Sequence, residues 1–143
     1  MDLFAAFAIS GSGMSVEKTR LDVTALNIAN MHSTRAGSGQ LYQPLTVISQ
    51  AKAGSFATAF SQAQNAALGA QVAEVRATLA APRLVYEPGH PDADAKGMVA
   101  YPGVNVVNEM VTMISATRAY EANVAALNAA RIMATRALEI GGN

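Results

Sequence analysis

The chain has 143 residues, which suits one compact domain or a small domain carrying extended arms. Half of it (51%) is hydrophobic and only 14% is charged, against a usual charged share of about 25%. Ten Lys plus Arg balance ten Asp plus Glu and there is no Cys, which excludes a basic nucleic-acid binder, an acidic tail protein, disulfides, thiolate nucleophiles and zinc-finger or iron–sulfur ligation.

The first predicted element covers residues 1 to about 30. Phe4, Phe7, Gly11, Met14, Lys18, Leu21, Ala25 and Ile28 step by three and four, as on a helix with one stripe or seam. Gly11 and Gly13 weaken its early part, at about 1 kcal/mol each against Ala. The apolar run from Leu3 to Ile9 follows Asp2 and no basic residue, unlike a secretory signal peptide, so any exit from the cytoplasm is expected by another route.

The middle, residues 32–103, opens with a turn-rich stretch from His32 to Gly39 and contains all five prolines. Short runs predict strands at Leu41–Ser49, Val72–Leu79, Arg83–Tyr86 and Gly97–Tyr101. Ala51 to Ala70, rich in Ala, Ser and Gln, fits a flexible loop or a short helix. The longest uncharged run, Ala53 to Ala73, is too polar to span a membrane. Glu87 to Gly97 has the composition of a long ordered loop.

The last element, Val104 to about Ile140, lies between Pro102-Gly103 and Gly141-Gly142. Val106, Met110, Met113, Thr117, Tyr120, Val124, Leu127, Arg131, Ala134 and Leu138 step by four and three, predicting a helix about 55 Å long. Its charges are Glu109, Arg118, Glu121, Arg131, Arg136 and Glu139, and small or apolar residues occur nearly all round. A lone surface helix carries a strongly polar face. This one calls for burial by neighbouring helices, more than a monomer of this size can supply. The expected fold is α+β: long N-terminal (1–31) and C-terminal (104–143) helices pair as a coiled-coil-like layer, with a small β-rich and loop segment (32–103) between them.

Catalytic signals are sparse. His90, Asp92 and Asp94 alternate near Glu87, but Pro88, Gly89 and Pro91 make the segment a turn sequence, in which such residues are ordinary. There is no nucleophile elbow, and Gly11-Ser-Gly13 lacks the third glycine and preceding strand of a dinucleotide site. No enzyme, cofactor or metal is expected. Four asparagines carry more information. Asn30 suits a helix C-terminus. Asn27, Asn123 and Asn128 are either exposed polar positions or buried amides that fix register between helices.

Leu21-Asp-Val-Thr-Ala-Leu-Asn27-Ile28-Ala-Asn30, followed by Ser33-Thr-Arg35, resembles the N-terminal signature of bacterial flagellar rod and hook proteins. Leu84 to Gly97, then Val99-Ala-Tyr-Pro102, resembles one branch, the C-type proximal rod proteins. Val106 to Ile114 and Tyr120-Glu-Ala-Asn123-Val124-Ala-Ala-Leu127-Asn128 match that branch too. The resemblance covers roughly residues 14–140. It departs at Pro102-Gly-Val-Asn105, where the family commonly has Pro-Asn-Val-Asp, and at Ala51–Ala70, which looks like a variable insertion.

The resemblance implies a structural subunit whose terminal helices form an inner tubular layer of the proximal rod, the drive shaft carrying torque from motor to hook and filament. It implies passage through the flagellar type III export apparatus without a cleaved signal peptide. Assembly would follow in the periplasm, as part of the flagellar basal body. The implied partners are other rod proteins, the basal-body base (the MS-ring and rod adaptor) and copies of itself, with no nucleic acid and no membrane insertion. Leu21, Asn27, Ile28, Asn30, Val106, Met110, Met113, Tyr120, Asn123, Val124, Leu127 and Asn128 are the expected assembly residues. Two rivals remain: a type III-exported adaptor or effector with helical partner-binding arms, and a small metal-dependent enzyme centred on His90, Asp92 and Asp94.

Overall fold

The computed structural model describes residues 3–34, 39–52 and 69–141. Its elements are helix α1 (Leu3–Ala29), strands β1 (Leu45–Ala51), β2 (Ala70–Ala77), β3 (Arg83–Tyr86) and β4 (Met98–Tyr101), and helix α2 (Val106–Gly141). The α+β reading holds, with two long helices and a small antiparallel middle. Most of Ala51–Ala70, the segment read as loop or short helix, lies outside the described residues.

The helix α1 runs for 27 residues without a break at Gly11 or Gly13. At Gly13 a β-carbon would stand 2.9 Å from the Asn123 Oδ1 atom, so glycine there permits close approach of the two helices. Gly13 therefore meets Asn123, and Arg20, Val23 and Thr24 share a small cavity with Glu109 and Thr112. That pairing makes the helices antiparallel. α2, with 36 residues, is about 54 Å long. It outreaches α1, and its residues 135–141 are all exposed.

Side chains close the end of α1 and the start of α2. Asn30 donates from both its backbone N–H and its Nδ2 to the Leu26 carbonyl, and Ser33 donates to the Asn30 carbonyl. This is the C-terminal role expected of Asn30. At the start of α2, Asn105 Oδ1 accepts from the Asn108 N–H at 3.2 Å. The amide thus caps the helix.

Strands β1 and β2 pair antiparallel from Leu45↔Ala77 to Ala51↔Ala70, with a bulge between Ile48 and Ser49. The sequence placed β1 four residues earlier, at Leu41. Pro44 has no N–H for a ladder, Tyr42 turns to Asn27, and Gln43 Oε1 accepts from the Ala80 N–H, so the strand starts after them. The hairpin lies along α1 and is pinned at both ends. Leu45 is bound by Asn27, and the Ala70 N–H donates to Ser12 Oγ at 3.0 Å. From Ser12 to Asn27 the helix covers about 22 Å, and the 7-residue β1 covers about the same. β3 and β4 form a second antiparallel pair, Arg83↔Tyr101 to Tyr86↔Met98, across the 87–97 loop.

The core is thin. Among the described residues its buried hydrophobic members are Val16, Val23, Val99, Tyr101, Ala116 and Ala130. Three polar residues, Ser10, Thr24 and Asn27, are buried with them.

Candidate functional site

The seam between the helices is built from small residues. On α1 the buried positions are Ser10, Val16, Val23, Thr24 and Asn27. On α2 the described buried residues are Ala116 and Ala130, with half-buried Asn123 seven residues from each. The sevenfold repeat is that of a coiled-coil seam, with alanine and glycine in place of the usual large residues. The stripes read from the sequence are only partly covered: Phe7, Gly11, Met14, Leu21 and Ile28 on α1 and Val106, Met113, Val124, Leu127 and Ala134 on α2 are half-buried. On α1, Phe4, Lys18 and Ala25 are exposed, and on α2, Met110, Thr117, Tyr120, Arg131 and Leu138 are exposed. The cause is steric. Two helices approach most closely over small side chains, and that contact leaves the large apolar stripe residues at its margin or outside it.

The twelve expected assembly residues therefore divide. Asn27 is buried, at 1% exposure. Leu21, Ile28, Asn30, Val106, Met113, Asn123, Val124 and Leu127 are half-buried; Met110, Tyr120 and Asn128 are exposed. They do not converge on one pocket.

Asn27 forms a node. Its Nδ2 donates to the Leu45 carbonyl at 2.9 Å, while its Oδ1 accepts from the Leu45 N–H and the Tyr42 hydroxyl, each at 2.8 Å. It is the buried amide that the sequence left open, but it ties α1 to β1 rather than helix to helix. Burial and, next, the nearby Glu109 carboxylate push the Tyr42 hydroxyl above its ordinary value. Asn123 donates to the Ala119 carbonyl within its own helix and packs over Gly13. Gly13, Tyr42 and Ala116 were not singled out in the sequence as contact residues. The sevenfold spacing of Ala116, Asn123 and Ala130 is the signal that could have found the seam.

The outward faces are apolar. On the first turns of α2, Val107 (68%), Met110 (55%), Val111 (62%) and Ile114 (55%) are exposed in a run spaced by three and four. Farther along, Ile132, Met133, Leu138 and Ile140 are exposed, as are Phe4, Ile9 and Leu26 on α1. Monomeric proteins rarely show contiguous apolar surface of this kind.

A second cluster surrounds Tyr101. Its hydroxyl donates to Glu87 Oε2 at 2.9 Å, the Arg83 guanidinium lies 5.4 Å from its ring centre, and His32 and His90 meet it edge-on. The hydrogen bond to Glu87 is the main reason the Tyr101 hydroxyl titrates above its ordinary value. The 87–97 loop is ordered by its own polar groups. Asp94 Oδ1 accepts from the Lys96 and Met98 N–H groups, and Thr34 Oγ1 donates to Asp92 Oδ2 at 2.6 Å. The Asp94 carboxylate is thus engaged by its own turn and that of Asp92 by Thr34, and among the described residues no group of three or more His, Asp or Glu converges to hold an ion. Nor does any described helix have the length and apolarity to cross a membrane. An open groove of about 480 Å³ lies between the end of α1 and the start of α2, lined by Met31, His32, Arg83 and residues 102–106.

Comparison with known proteins fits this geometry. The family model described as flagellar basal body rod FlgEFG protein C-terminal matches residues 95–140, which cover nearly all of α2. The flagellar basal-body rod protein FlgC of Escherichia coli O6:H1 is 42% identical over 141 residues, spanning 99% of both chains. The FlgC of Bacillus subtilis strain 168 is 39% identical over 149 residues, again 99% of both. That of Borreliella burgdorferi is 35% identical over 150 residues, 98% of both.

Proposed function

Since the chain belongs to the FlgC family of flagellar basal-body rod proteins, we propose that this structural rod component is built into the proximal rod and helps carry torque from motor to hook and filament. The observation that carries this reading is the apolar surface that the helix pair leaves uncovered, with Val107, Met110, Val111 and Ile114 exposed on α2 and Phe4, Ile9 and Leu26 on α1. Such a pair is unfinished alone. Burial of its outer faces against neighbouring helices supplies the missing stabilisation, so the helices order fully on assembly.

In this reading the subunit passes through the type III export apparatus and polymerises in the periplasm. It meets the basal-body base, other rod proteins and copies of itself. The hairpin, fixed to α1 through Asn27 and Ser12, and the 87–97 loop, fixed through Thr34 to the segment that follows α1, set its lateral contacts. The twelve residues named from the sequence take part unequally. Asn27 and Asn123 organise the subunit, while Met110, Tyr120 and Asn128 face neighbours.

The test is mass spectrometry of detergent-stripped basal bodies, with a strain lacking the chain as control. Peptides of the chain should co-purify with the rod, and the deletion should halt growth before the distal rod. A chain absent from basal bodies, with a deletion strain that still swims, would overturn the reading.

A further inference from the structure

The chain has two histidines, and both pack edge-on against the one ring of Tyr101, with centroid separations of 6.1 Å for His32 and 6.5 Å for His90. His90 does more than pack. Its Nδ1 accepts a hydrogen bond from the Asp92 N–H at 3.0 Å. A backbone N–H can only donate, so Nδ1 must present a lone pair; the ring is then neutral, with its proton on Nε2. Two residues on, the same Asp92 holds the far side of the joint, since its Oδ2 accepts from Thr34, just beyond the end of α1. A short chain of bonds thus runs from His90 through Asp92 to Thr34 and connects the 87–97 loop to the segment that follows α1.

We propose that this chain includes a proton-sensitive latch at the His90–Asp92 turn, which carries the Thr34 contact, closed when His90 is neutral and released when it takes a proton. A proton on Nδ1 turns the acceptor into a donor facing an N–H, so the bond to Asp92 is lost. The surroundings bear on the balance from several elements. β3 brings the Arg83 cation over the Tyr101 ring, β4 brings Tyr101 itself, and the turn after α1 brings His32. The loop contributes Glu87, which accepts from Tyr101, and the carboxylates of Asp92 and Asp94. Acidification would gather imidazolium charge beside Arg83, which opposes closure, while the carboxylates temper that repulsion. Histidine is the side chain that normally changes charge between pH 5 and 8. The latch does not depend on assembly into a rod, so it stands or falls separately from the proposed function.

The test is amide hydrogen exchange and ¹⁵N spectroscopy on the full-length chain between about pH 7.5 and 5. At the upper pH the His90 ring should be the neutral Nε2–H tautomer. On acidification the protection of the Asp92 amide, corrected for intrinsic exchange, should fall about tenfold in step with His90 protonation. His90→Asn keeps a side-chain acceptor two residues before the same amide but has no proton to gain. Its Asp92 protection should stay high and independent of pH. In His90→Phe, protection should be low throughout. Protection in the unaltered chain that does not change with pH would overturn the proposal. So would an Nδ1–H tautomer at neutral pH, or a His90→Asn variant that responds to acid as the unaltered chain does.

Discussion

Replacing Asn27 by Ala should cost more than any other single truncation on α1. The side chain is 1% exposed and makes three hydrogen bonds, two to Leu45 and one to Tyr42. Each is worth about 1 kcal/mol net, and more where its partner is left dry. Leu45 and Tyr42 are half-buried, so water can reach part of what is exposed. The better helix propensity of Ala returns roughly 0.5 kcal/mol. The expected loss is therefore about 2–3 kcal/mol, or about 6–10 °C in Tm for a chain of this size. The assay is thermal unfolding of the full-length chain at fixed concentration, followed by circular dichroism and by tyrosine fluorescence, since there is no Trp. Asn27→Asp sharpens it: the carboxylate can accept from Leu45 N–H and Tyr42 but cannot donate to the Leu45 carbonyl. That variant should be destabilised at neutral pH and recover partly in acid, when the carboxyl gains a proton to donate. A Tm change below about 2 °C in Asn27→Ala would refute the claim that this amide fastens β1 to α1.

Three further outcomes follow from the same geometry. Gly13→Val should weaken the helix pair by about 1–3 kcal/mol through overlap with Asn123. Adding Asn123→Ala should restore part of it, and a double-mutant cycle on Tm without coupling would remove that contact from the account. Val111→Glu and Ile114→Glu, on exposed α2 positions, should leave the Tm of the single chain within about 0.5 kcal/mol of its starting stability yet abolish rod incorporation and motility; normal swimming would count against burial of that face. The raised Tyr101 hydroxyl is stabilised in its protonated form, so its contribution is complete below the unfolded value of about 10 and is lost as pH rises through the folded one. Tyr101→Phe should therefore make alkaline unfolding less steep, while the half-buried Tyr42, raised in the same sense, keeps some pH dependence. An unchanged alkaline profile would show that the Glu87 bond does not couple to folding.

The three-part organisation was legible because it depends on local signals: helical spacing, proline and glycine punctuation, and alternation in short strands. β3 was placed residue for residue, at Arg83–Tyr86, and α2 within two residues at its start. The inward faces were not legible in the same way. Periodicity marks where large apolar residues recur, and a reading from one chain assigns that stripe to the core. Here its members are half-buried or exposed and none is fully buried, because the closest contact runs over Gly13, Ala116 and Ala130. The Asn27 node was half legible. A buried amide could be suspected from the scarcity of charge on the helices, but its partners, Tyr42 and Leu45, come from a loop and a strand 15 and 18 residues away. The Tyr101 cluster joins β3, β4, the 87–97 loop and the turn after α1, a meeting set by tertiary structure alone.

The exposed apolar runs also bear on how many neighbours the subunit needs. Full burial of a large apolar side chain contributes about 1.5–3 kcal/mol. Val107, Met110, Val111 and Ile114 are each between half and two-thirds exposed, so covering this run supplies about 4–7 kcal/mol. Association alone costs about 4–15 kcal/mol in lost freedom, before any side chain is ordered. One such face therefore roughly offsets the cost of one contact and leaves little surplus. The second apolar group, Ile132, Met133, Leu138 and Ile140, lies on the far part of α2, and Phe4 and Ile9 lie on α1. A neighbour covering the first run does not by that act cover these. A subunit of this design gains net stability when several faces are covered at once, as in a closed helical layer, and gains little in a pair. That distinguishes a rod component from a two-partner adaptor on energetic grounds. It also sets an expectation for solution behaviour: weak self-association of the isolated chain, and a steep rise in order once a seed presents more than one face.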